Sequence, residues 1–276
     1  MDSQHRAEPI YVMGHSAEER DRLIQQAGLV GPITERFLRT AGLGSGMRIL
    51  DVGCGVGDVS MLCAGLVGAE GEIVGVDRDA AALARARERV AAATLPNVRF
   101  IEGDFRELPP GQPFDAVVGR AVLMYAADPA AALRSLLPHL RSDGIVAFQE
   151  FDYTNLVALP SSDLYERIAD WWRRTASQAG IELQMGLKLF PTYVAAGLPE
   201  PDLQAETIIG GGPDFAGYAY LAGVFRSIMP LMERFGVATP EEVDIDRLAD
   251  RLREETVALG GVVALQMIVG ASARKP

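Results

Sequence analysis

Short apolar segments alternate with longer amphipathic segments through the first half of the chain. The apolar segments lie at residues 49–52, 72–76, 98–101, 114–118 and 145–151. Each has the length of a buried strand. The segments between them repeat apolar residues at helical spacing, as Leu83, Ala86 and Val90 do. Regular alternation of strand and helix predicts an α/β fold with a parallel sheet.

The pattern changes on both sides of this region. After residue 152, helical spacing predicts helices over residues 161–179, 189–196, 215–235 and 241–259. Two more apolar segments, at 203–209 and 262–269, predict further strands. Before the first strand, helices are predicted over residues 17–27 and 32–41, and Ser16 with Glu19 has the spacing of a capping box.

The first strand ends in a glycine-rich turn. Residues 48–58 read RILDVGCGVGD, with Gly53, Gly55 and Gly57 separated by single residues. A strand, a glycine turn and a helix form the nucleotide-binding start of a doubly wound sheet. The spacing is not the G-x-G-x-x-G of dinucleotide sites. Asp51 and Asp58 flank the turn, so a ligand with an ammonium group suits it better than a pyrophosphate.

This segment closely resembles motif I of the class I S-adenosylmethionine (SAM)-dependent methyltransferases, where it holds the methionine part of SAM. The resemblance covers about residues 45–152 and the terminal hairpin. It implies a Rossmann-like, doubly wound, seven-stranded sheet, mostly parallel with an antiparallel last strand. It also implies that SAM is the cofactor, that S-adenosylhomocysteine is its product and that methyl transfer is the reaction.

The resemblance also divides the chain into three expected parts. Residues 1–44 form an N-terminal helical lid segment, and residues 45–152 form the SAM-binding core. Residues 153–276 supply inserted lid helices and the strand hairpin that completes the sheet. We expect the lid above the carboxyl ends of the strands, where doubly wound sheets bind ligands.

Matching positions assign candidate cofactor-binding residues. In the turn these are Asp51, Gly53, Cys54 and Gly55. Asp77 ends the second strand, where an acid accepts hydrogen bonds from ribose hydroxyls, and the adjacent Arg78 is assigned with it.

Two later strand ends continue the match. Asp104 and Phe105 follow the third strand, where the family holds the adenine amino group and packs a side chain on the ring. Arg120 ends the fourth strand and is expected to line the SAM carboxylate or the substrate. A surface ion pair is the alternative for Arg120.

Two residues are candidates for a catalytic base. His15 lies near Tyr11, just before the capped helix, and in relatives such an N-terminal segment folds over SAM. We hypothesise that Tyr11 closes over the cofactor and that His15 acts as general base; the alternative is that His15 only joins the helix cap. Glu150 and Asp152 end the fifth strand, where they either bind a cationic group, accept a proton or cap a neighbouring helix.

Aromatic residues on the inserted helices form either a substrate wall or ordinary packing. They are Trp171, Trp172, Tyr218, Tyr220 and Phe225. With a net charge of −11 and no long basic run, the chain is not expected to bind nucleic acid. A small, partly apolar molecule is therefore the expected substrate. The acceptor atom, oxygen, nitrogen or carbon, does not follow from the residues.

The remaining expectations concern location, metals and assembly. No apolar stretch reaches membrane-spanning length and no apolar leader is recognised, so no membrane partner and a cytoplasmic location are expected. Cys54 and Cys63 lack metal-ligand spacing, so no metal site is expected. The oligomeric state stays open, a homodimer included.

Two other functions use similar motifs. A SAM-bound regulator, or an enzyme of another reaction class, would share them all. An NAD-dependent oxidoreductase would share Asp77, but the glycine spacing and the Asp104–Phe105 pair oppose it.

Overall fold

Eight strands form one sheet in the computed structural model, which describes residues 17–276, with side chains from residue 28 onward. The strands are β1 (Arg48–Val52), β2 (Glu72–Asp77), β3 (Val98–Glu102), β4 (Phe114–Arg120), β5 (Leu140–Asp152), β6 (Val157–Leu159), β7 (Asp202–Gly210) and β8 (Val262–Arg274). The helices are α1 (Ala17–Thr40), α2 (Asp58–Val67), α3 (Ala80–Ala92), α4 (Pro129–Leu136), α5 (Asp163–Gln178), α6 (Met185–Ala195), α7 (Gly217–Arg234), α8 (Pro240–Val243) and α9 (Leu248–Ala258). Short 3-10 turns lie at Phe105–Glu107, Leu123–Tyr125 and Leu137–His139.

The strand order confirms the predicted doubly wound sheet. It runs β3-β2-β1-β4-β5-β8, and these first five strands are parallel. Strand β8 is antiparallel to β5 on one side and to β7 on the other. The three-residue β6 was not predicted, and it pairs with β8 beyond the end of β5.

Alternating strand residues build a hydrophobic core on each face of the sheet. Leu50 and Val52 belong to one core, whereas Ile49 between them belongs to the other. Strands buried on both faces read as continuous apolar runs, which is why the sequence located them.

Several predicted boundaries are wrong: α6 begins four residues before the predicted 189 and β8 extends to Arg274, past the predicted 269. Three further differences have a physical cause. The two N-terminal helices are one helix, α1, which continues through Pro32 although proline usually interrupts a helix. The fifth strand begins at Leu140, because a 3-10 turn ends the preceding helix early. The last predicted helix is split into α8 and α9, since Asp244 adopts a left-handed conformation with φ of 52°.

The elements after β5 both extend and cover the sheet. Helix α6 packs on β5 and β8, so it is part of the sheet scaffold. Helix α7 packs against α1, α5 and α9. The chain leaving the carboxyl end of β5 meets α5 and α7 there, so a helical cover lies over this end of the sheet.

Candidate active site

The glycine turn is held by its own backbone. Gly53, Gly55 and Gly57 have φ values of 62°, 52° and 83°, which favour glycine. The Cys54 N–H donates to the Val76 carbonyl at 3.1 Å and ties the turn to β2. A Cβ on Gly53 would lie 2.7 Å from Val122 Cγ2, so the turn closely approaches the segment after β4.

Asp51 is a buried acid with one oxygen unused by the protein. One carboxylate oxygen accepts from Ser60 Oγ at 2.5 Å. The other has no hydrogen-bond partner within the described part of the chain. Burial raises the pKa of Asp51 to about 7, against the effect of the Ser60 hydrogen bond. Asp51 therefore keeps one buried acceptor oxygen that the described residues do not use.

Asp58, the second acid beside the turn, faces cations of the protein itself. It forms an ion pair with Arg89 at 2.7 Å and lies 3.8 Å from Arg120. The sequence suggested that both Asp51 and Asp58 face a ligand ammonium group. Because Asp58 is paired with arginines of the protein, only Asp51 remains a candidate for that role.

Arg120, at the end of β4, is linked to helix α1. Its Nη1 donates to Thr34 Oγ1 on α1 at 3.1 Å, and Thr34 donates to Gln149 Oε1 at 2.6 Å. The side chain is only 9% exposed, so the predicted alternative of a surface ion pair is wrong. Burial lowers the pKa of Arg120, while Asp58, Asp51 and the nearby Tyr220 of α7 act to raise it.

Asp77 holds two backbone amides at the end of β2. Its two oxygens accept from the Gly55 N–H at 2.8 Å and the Asp79 N–H at 2.9 Å. Each carboxylate oxygen has two lone pairs, so both retain capacity for ribose hydroxyls.

Asp104 is already surrounded by donors. It accepts from the backbone and guanidinium of Arg106, the latter at 2.7 Å, and from the guanidinium of Arg78. Burial acts to raise the pKa of Asp104, but these hydrogen bonds outweigh it and hold the pKa well below its usual range. An adenine amino group would have to share or displace a guanidinium donor. The half-buried Phe105 follows at the start of a 3-10 turn.

Glu150 caps the turn that follows β4. One carboxylate oxygen accepts from the Val122 and Leu123 N–H groups at 2.9 and 2.7 Å, and the other from Met124 at 3.3 Å. The side chain is fully buried, and burial raises its pKa to about 7. Of the roles left open by the sequence, capping is the one these contacts show.

Asp152 has a similar structural role. It accepts from the Thr154 N–H at 3.1 Å and from the Leu187 N–H in α6 at 3.3 Å. Its contacts therefore join the end of β5 to α6.

An apolar cavity, here called the chamber, lies under the helical cover. It is partly open to solvent, and its cavity volume is about 20 Å³. The residues lining it are Tyr153, Leu156, Tyr165, Ile168, Ala169, Trp172, Tyr220, Leu221, Val224, Phe225 and Gln266. None of these side chains is charged.

The five aromatic residues predicted to form a substrate wall fall into two groups, those that line the chamber and those that do not. Trp172, Tyr220 and Phe225 line it. Trp171 packs edge-on against Phe225 with ring centroids 6.3 Å apart, and Tyr218 packs against Phe215. These two fill the core and do not line the cavity.

Two predicted residues lie outside the described structure, and four residues near the site were not predicted from the sequence. Tyr11 and His15 lie outside the described residues. Sequence reasoning missed Ser60, Arg89 and Thr34, which carry no local signal. Gln266 did carry one, since it is a polar residue in an otherwise apolar strand.

Two features are absent from the part of the chain that the structure describes. No helix there is long and apolar enough to cross a membrane. Among the described side chains, residues 28–276, no cluster of three or more His, Cys, Asp or Glu has the arrangement of a metal site.

Residues 43–187, about half of the chain, match the family model described as a methyltransferase domain. The chain belongs to the class I SAM-dependent methyltransferases. Its cofactor is therefore SAM, which opposes the less favoured alternative of an NAD-dependent oxidoreductase.

The relatives define how far this similarity extends. The chain is 36% identical over 129 residues to the ubiquinone/menaquinone biosynthesis C-methyltransferase UbiE of Coxiella burnetii, covering 46% of this chain and 50% of that protein. It is 36% identical over 103 residues to the trans-aconitate 2-methyltransferase of Azoarcus sp., covering 37% and 38%. The chain spans about half the length, or less, of these curated relatives.

A solved structure shows the same fold. The YcgJ protein of Bacillus subtilis has a TM-score of 0.58 at 16% identity, over 89% of this chain and 99% of that one.

Proposed function

We propose that this methyltransferase acts on a small, uncharged and partly apolar molecule bound in the chamber. The observation that carries the proposal is the uncharged lining of a cavity that shares Tyr220 with the neighbourhood of Arg120. A charged acceptor would lose its hydration there without a counter-ion, which is costly. The strongly acidic chain also disfavours a nucleic-acid substrate.

The cofactor end supports a specific set of roles. Asp51 binds the ammonium group of SAM with its unpartnered oxygen. Gly53, Cys54 and Gly55 let the ligand approach the backbone closely. Arg120 is the counter-ion for the SAM carboxylate.

The nucleoside is held further along the sheet edge. Asp77 accepts from the ribose hydroxyls while keeping its bonds to Gly55 and Asp79. Asp104 and Phe105 receive the adenine, and Arg78 acts through Asp104.

The reaction asks mainly for positioning. Bound SAM supplies a methyl group already activated by its sulfonium. The protein must hold the acceptor in line with that bond and exclude water, and such positioning contributes about 7–11 kcal/mol in favourable cases. A hydroxyl acceptor also requires a base, and His15 remains our candidate for it.

Glu150 is proposed as a positioning residue. Its hydrogen bonds fix residues 122–124 beside the glycine turn. We expect Glu150→Gln to retain turnover with an unchanged pH–rate profile, because the amide oxygen can keep the bonds to Val122 and Leu123. A selective loss of the acidic limb of that profile, where the rate rises as a base loses its proton, would instead make Glu150 the general base.

The two curated relatives offer different acceptor chemistries. One name specifies C-methylation in quinone biosynthesis, and the other specifies trans-aconitate, a polycarboxylate. An uncharged chamber favours an acceptor of the first kind. The acceptor atom is to be found by experiment.

A transfer assay tests the proposal. The purified protein would be incubated with methyl-labelled SAM and three acceptor panels: neutral ring compounds, polycarboxylates and RNA. We expect label in the first panel alone. Label confined to polycarboxylates or RNA would overturn the proposal, and binding of S-adenosylhomocysteine without any transfer would favour a regulator or another reaction class.

A further inference from the structure

Trp172 presents a hydrogen-bond donor that the protein does not use. The side chain is 3% exposed and lines the chamber. Its indole Nε1 has no hydrogen-bond partner within the described residues. Buried polar groups are nearly always paired, and an unpaired one costs about 1–3 kcal/mol. Because the unpaired N–H belongs to a residue that lines the chamber, a ligand entering the chamber is the partner we consider for it.

Other polar groups of the chamber are engaged by the protein. The Tyr165 hydroxyl donates to the Ala264 carbonyl. Gln266 Nε2 donates to the Tyr220 hydroxyl at 2.5 Å. Among the chamber side chains that the structure describes, Trp172 is the one with a buried donor lacking a partner.

The neighbouring rings fix the indole and shape the space in front of it. Tyr153 packs on Trp172 with ring centroids 5.0 Å apart and planes tilted by 48°. Tyr165, Tyr220 and Phe225 supply further aromatic walls. Aromatic surfaces pack best against flat, unsaturated partners.

We propose that Trp172 determines acceptor specificity by donating a hydrogen bond from its indole N–H to an oxygen on a flat, uncharged ring. The acceptor class is then an aromatic or quinone-like ring that bears a carbonyl or hydroxyl oxygen. This inference rests on the proposed function, since it describes the acceptor of the same reaction.

The first test compares two probes that differ in one oxygen, 1-indanone and indane. In the wild-type protein saturated with S-adenosylhomocysteine, 1-indanone should bind about 3- to 10-fold tighter, as expected for one neutral hydrogen bond. Trp172→Phe keeps an aromatic ring but removes the N–H, so the preference should fall to roughly 1-fold. Trp171→Phe is the matched control, because Trp171 does not line the chamber, and it should keep the full preference. A preference that survives in Trp172→Phe would overturn the proposal.

A second measurement needs no chamber variant. The chain has two tryptophans, so ¹⁵N-labelled protein gives two indole N–H signals, which Trp171→Phe assigns. The Trp172 signal should move downfield with 1-indanone and stay in place with indane. Equal responses to both probes, or none to either, would contradict the hydrogen bond even if Trp172→Phe fails to fold.

The outcomes separate this inference from the proposed function. Methyl transfer to neutral acceptors without any Trp172-dependent preference would leave the function standing and remove the role of Trp172. A Trp172-dependent preference without transfer to any acceptor would keep the site and remove the function.

Discussion

The proposed cofactor-binding residues, here called the cofactor end, and the chamber offer a ligand opposite kinds of chemistry. The cofactor end combines acids, arginines and a glycine turn with positive φ values, and most of its residues lie between Asp51 and Asp104. The chamber uses uncharged side chains that come from the end of β5, from α5, from α7 and from β8. Yet Tyr220, which lines the chamber, acts to raise the pKa of Arg120, so the two regions are electrostatically linked.

This difference indicates which of the two regions tolerates substitution. A backbone turn with positive φ values and buried acids tolerates little change without loss of cofactor. A cavity lined by side chains can change its ligand by substitution while the scaffold stays the same. The comparison predicts that variants of one region leave ligand binding at the other intact.

Asp77→Ala should give the largest effect at the cofactor end. It removes the proposed ribose contacts and frees the Gly55 and Asp79 amides. We expect S-adenosylhomocysteine to bind about 100-fold more weakly, or roughly 2.7 kcal/mol, measured by calorimetry.

Asp77→Asn is the control for the loop, because its amide oxygen can still accept from one of those amides. We expect it to weaken binding less than Asp77→Ala does. Binding of 1-indanone should be unchanged in both variants. A parallel loss of 1-indanone binding would mean that the two regions are not separable.

Gly53→Ala and Gly55→Ala separate two reasons for glycine in the turn: the positive φ angle and the lack of room for a Cβ atom. Both glycines have positive φ, so alanine costs about 1 kcal/mol at either position. Only at Gly53 does the new Cβ also meet Val122, at 2.7 Å. The free energy of unfolding should therefore fall by roughly 2 kcal/mol for Gly53→Ala and about 1 kcal/mol for Gly55→Ala. Equal losses in urea denaturation would show that Val122 does not constrain the turn.

The sequence predicted the strands and the glycine turn because their signals are local. Buried strands are continuous apolar runs, and Asp77 and Asp104 directly follow strands. The contacts around Arg120 had no such signal, since Thr34 is 86 residues from Arg120 and 115 residues from Gln149 along the chain. Long-range polar pairs of this kind depend on how elements pack, which the periodicity of each element does not contain.

Sequence patterns also failed where tertiary packing overruled a local preference. Pro32 predicted a break, but α1 continues and packs against α2 and α7. The aromatic residues of α5 showed the same limit, because Trp171 and Trp172 are adjacent and equally apolar. Adjacent helical residues point in directions about 100° apart, and only the fold decides which of them meets the cavity.

The pH dependence of cofactor binding separates the charged region from the uncharged one. Asp51 has a pKa raised to about 7 by burial, and it must lose its proton to bind an ammonium group as a carboxylate. S-adenosylhomocysteine should therefore bind about tenfold more weakly at pH 6 than at pH 8. Binding of 1-indanone should stay constant over this range.

Asp51→Asn is the control, and its weaker binding should not vary with pH. A flat profile in the wild-type protein would remove Asp51 from ammonium binding. The raised pKa has a second consequence for the ligand-free protein. Its stability should decline as pH rises from the unfolded value of 3.8 through about 7, because the folded state holds a proton that the unfolded chain has released.

Arg106→Ala should change the affinity for S-adenosylhomocysteine least of these variants. It tests whether the arginines bound to Asp104 help or hinder adenine binding. Arg106 and Arg78 both occupy the carboxylate of Asp104, where we place the adenine amino group. Removing a partly exposed ion pair changes stability by less than about 1 kcal/mol. It also releases lone pairs of Asp104, so S-adenosylhomocysteine should bind up to about threefold tighter. The affinity for S-adenosylhomocysteine would be measured by calorimetry in Arg106→Ala and in Arg106→Lys, which keeps the charge. The comparison shows whether Arg106 competes with the adenine for Asp104 or orients Asp104 toward it. Weaker binding in Arg106→Ala alone would mean that Arg106 orients Asp104 toward the adenine and does not compete with it.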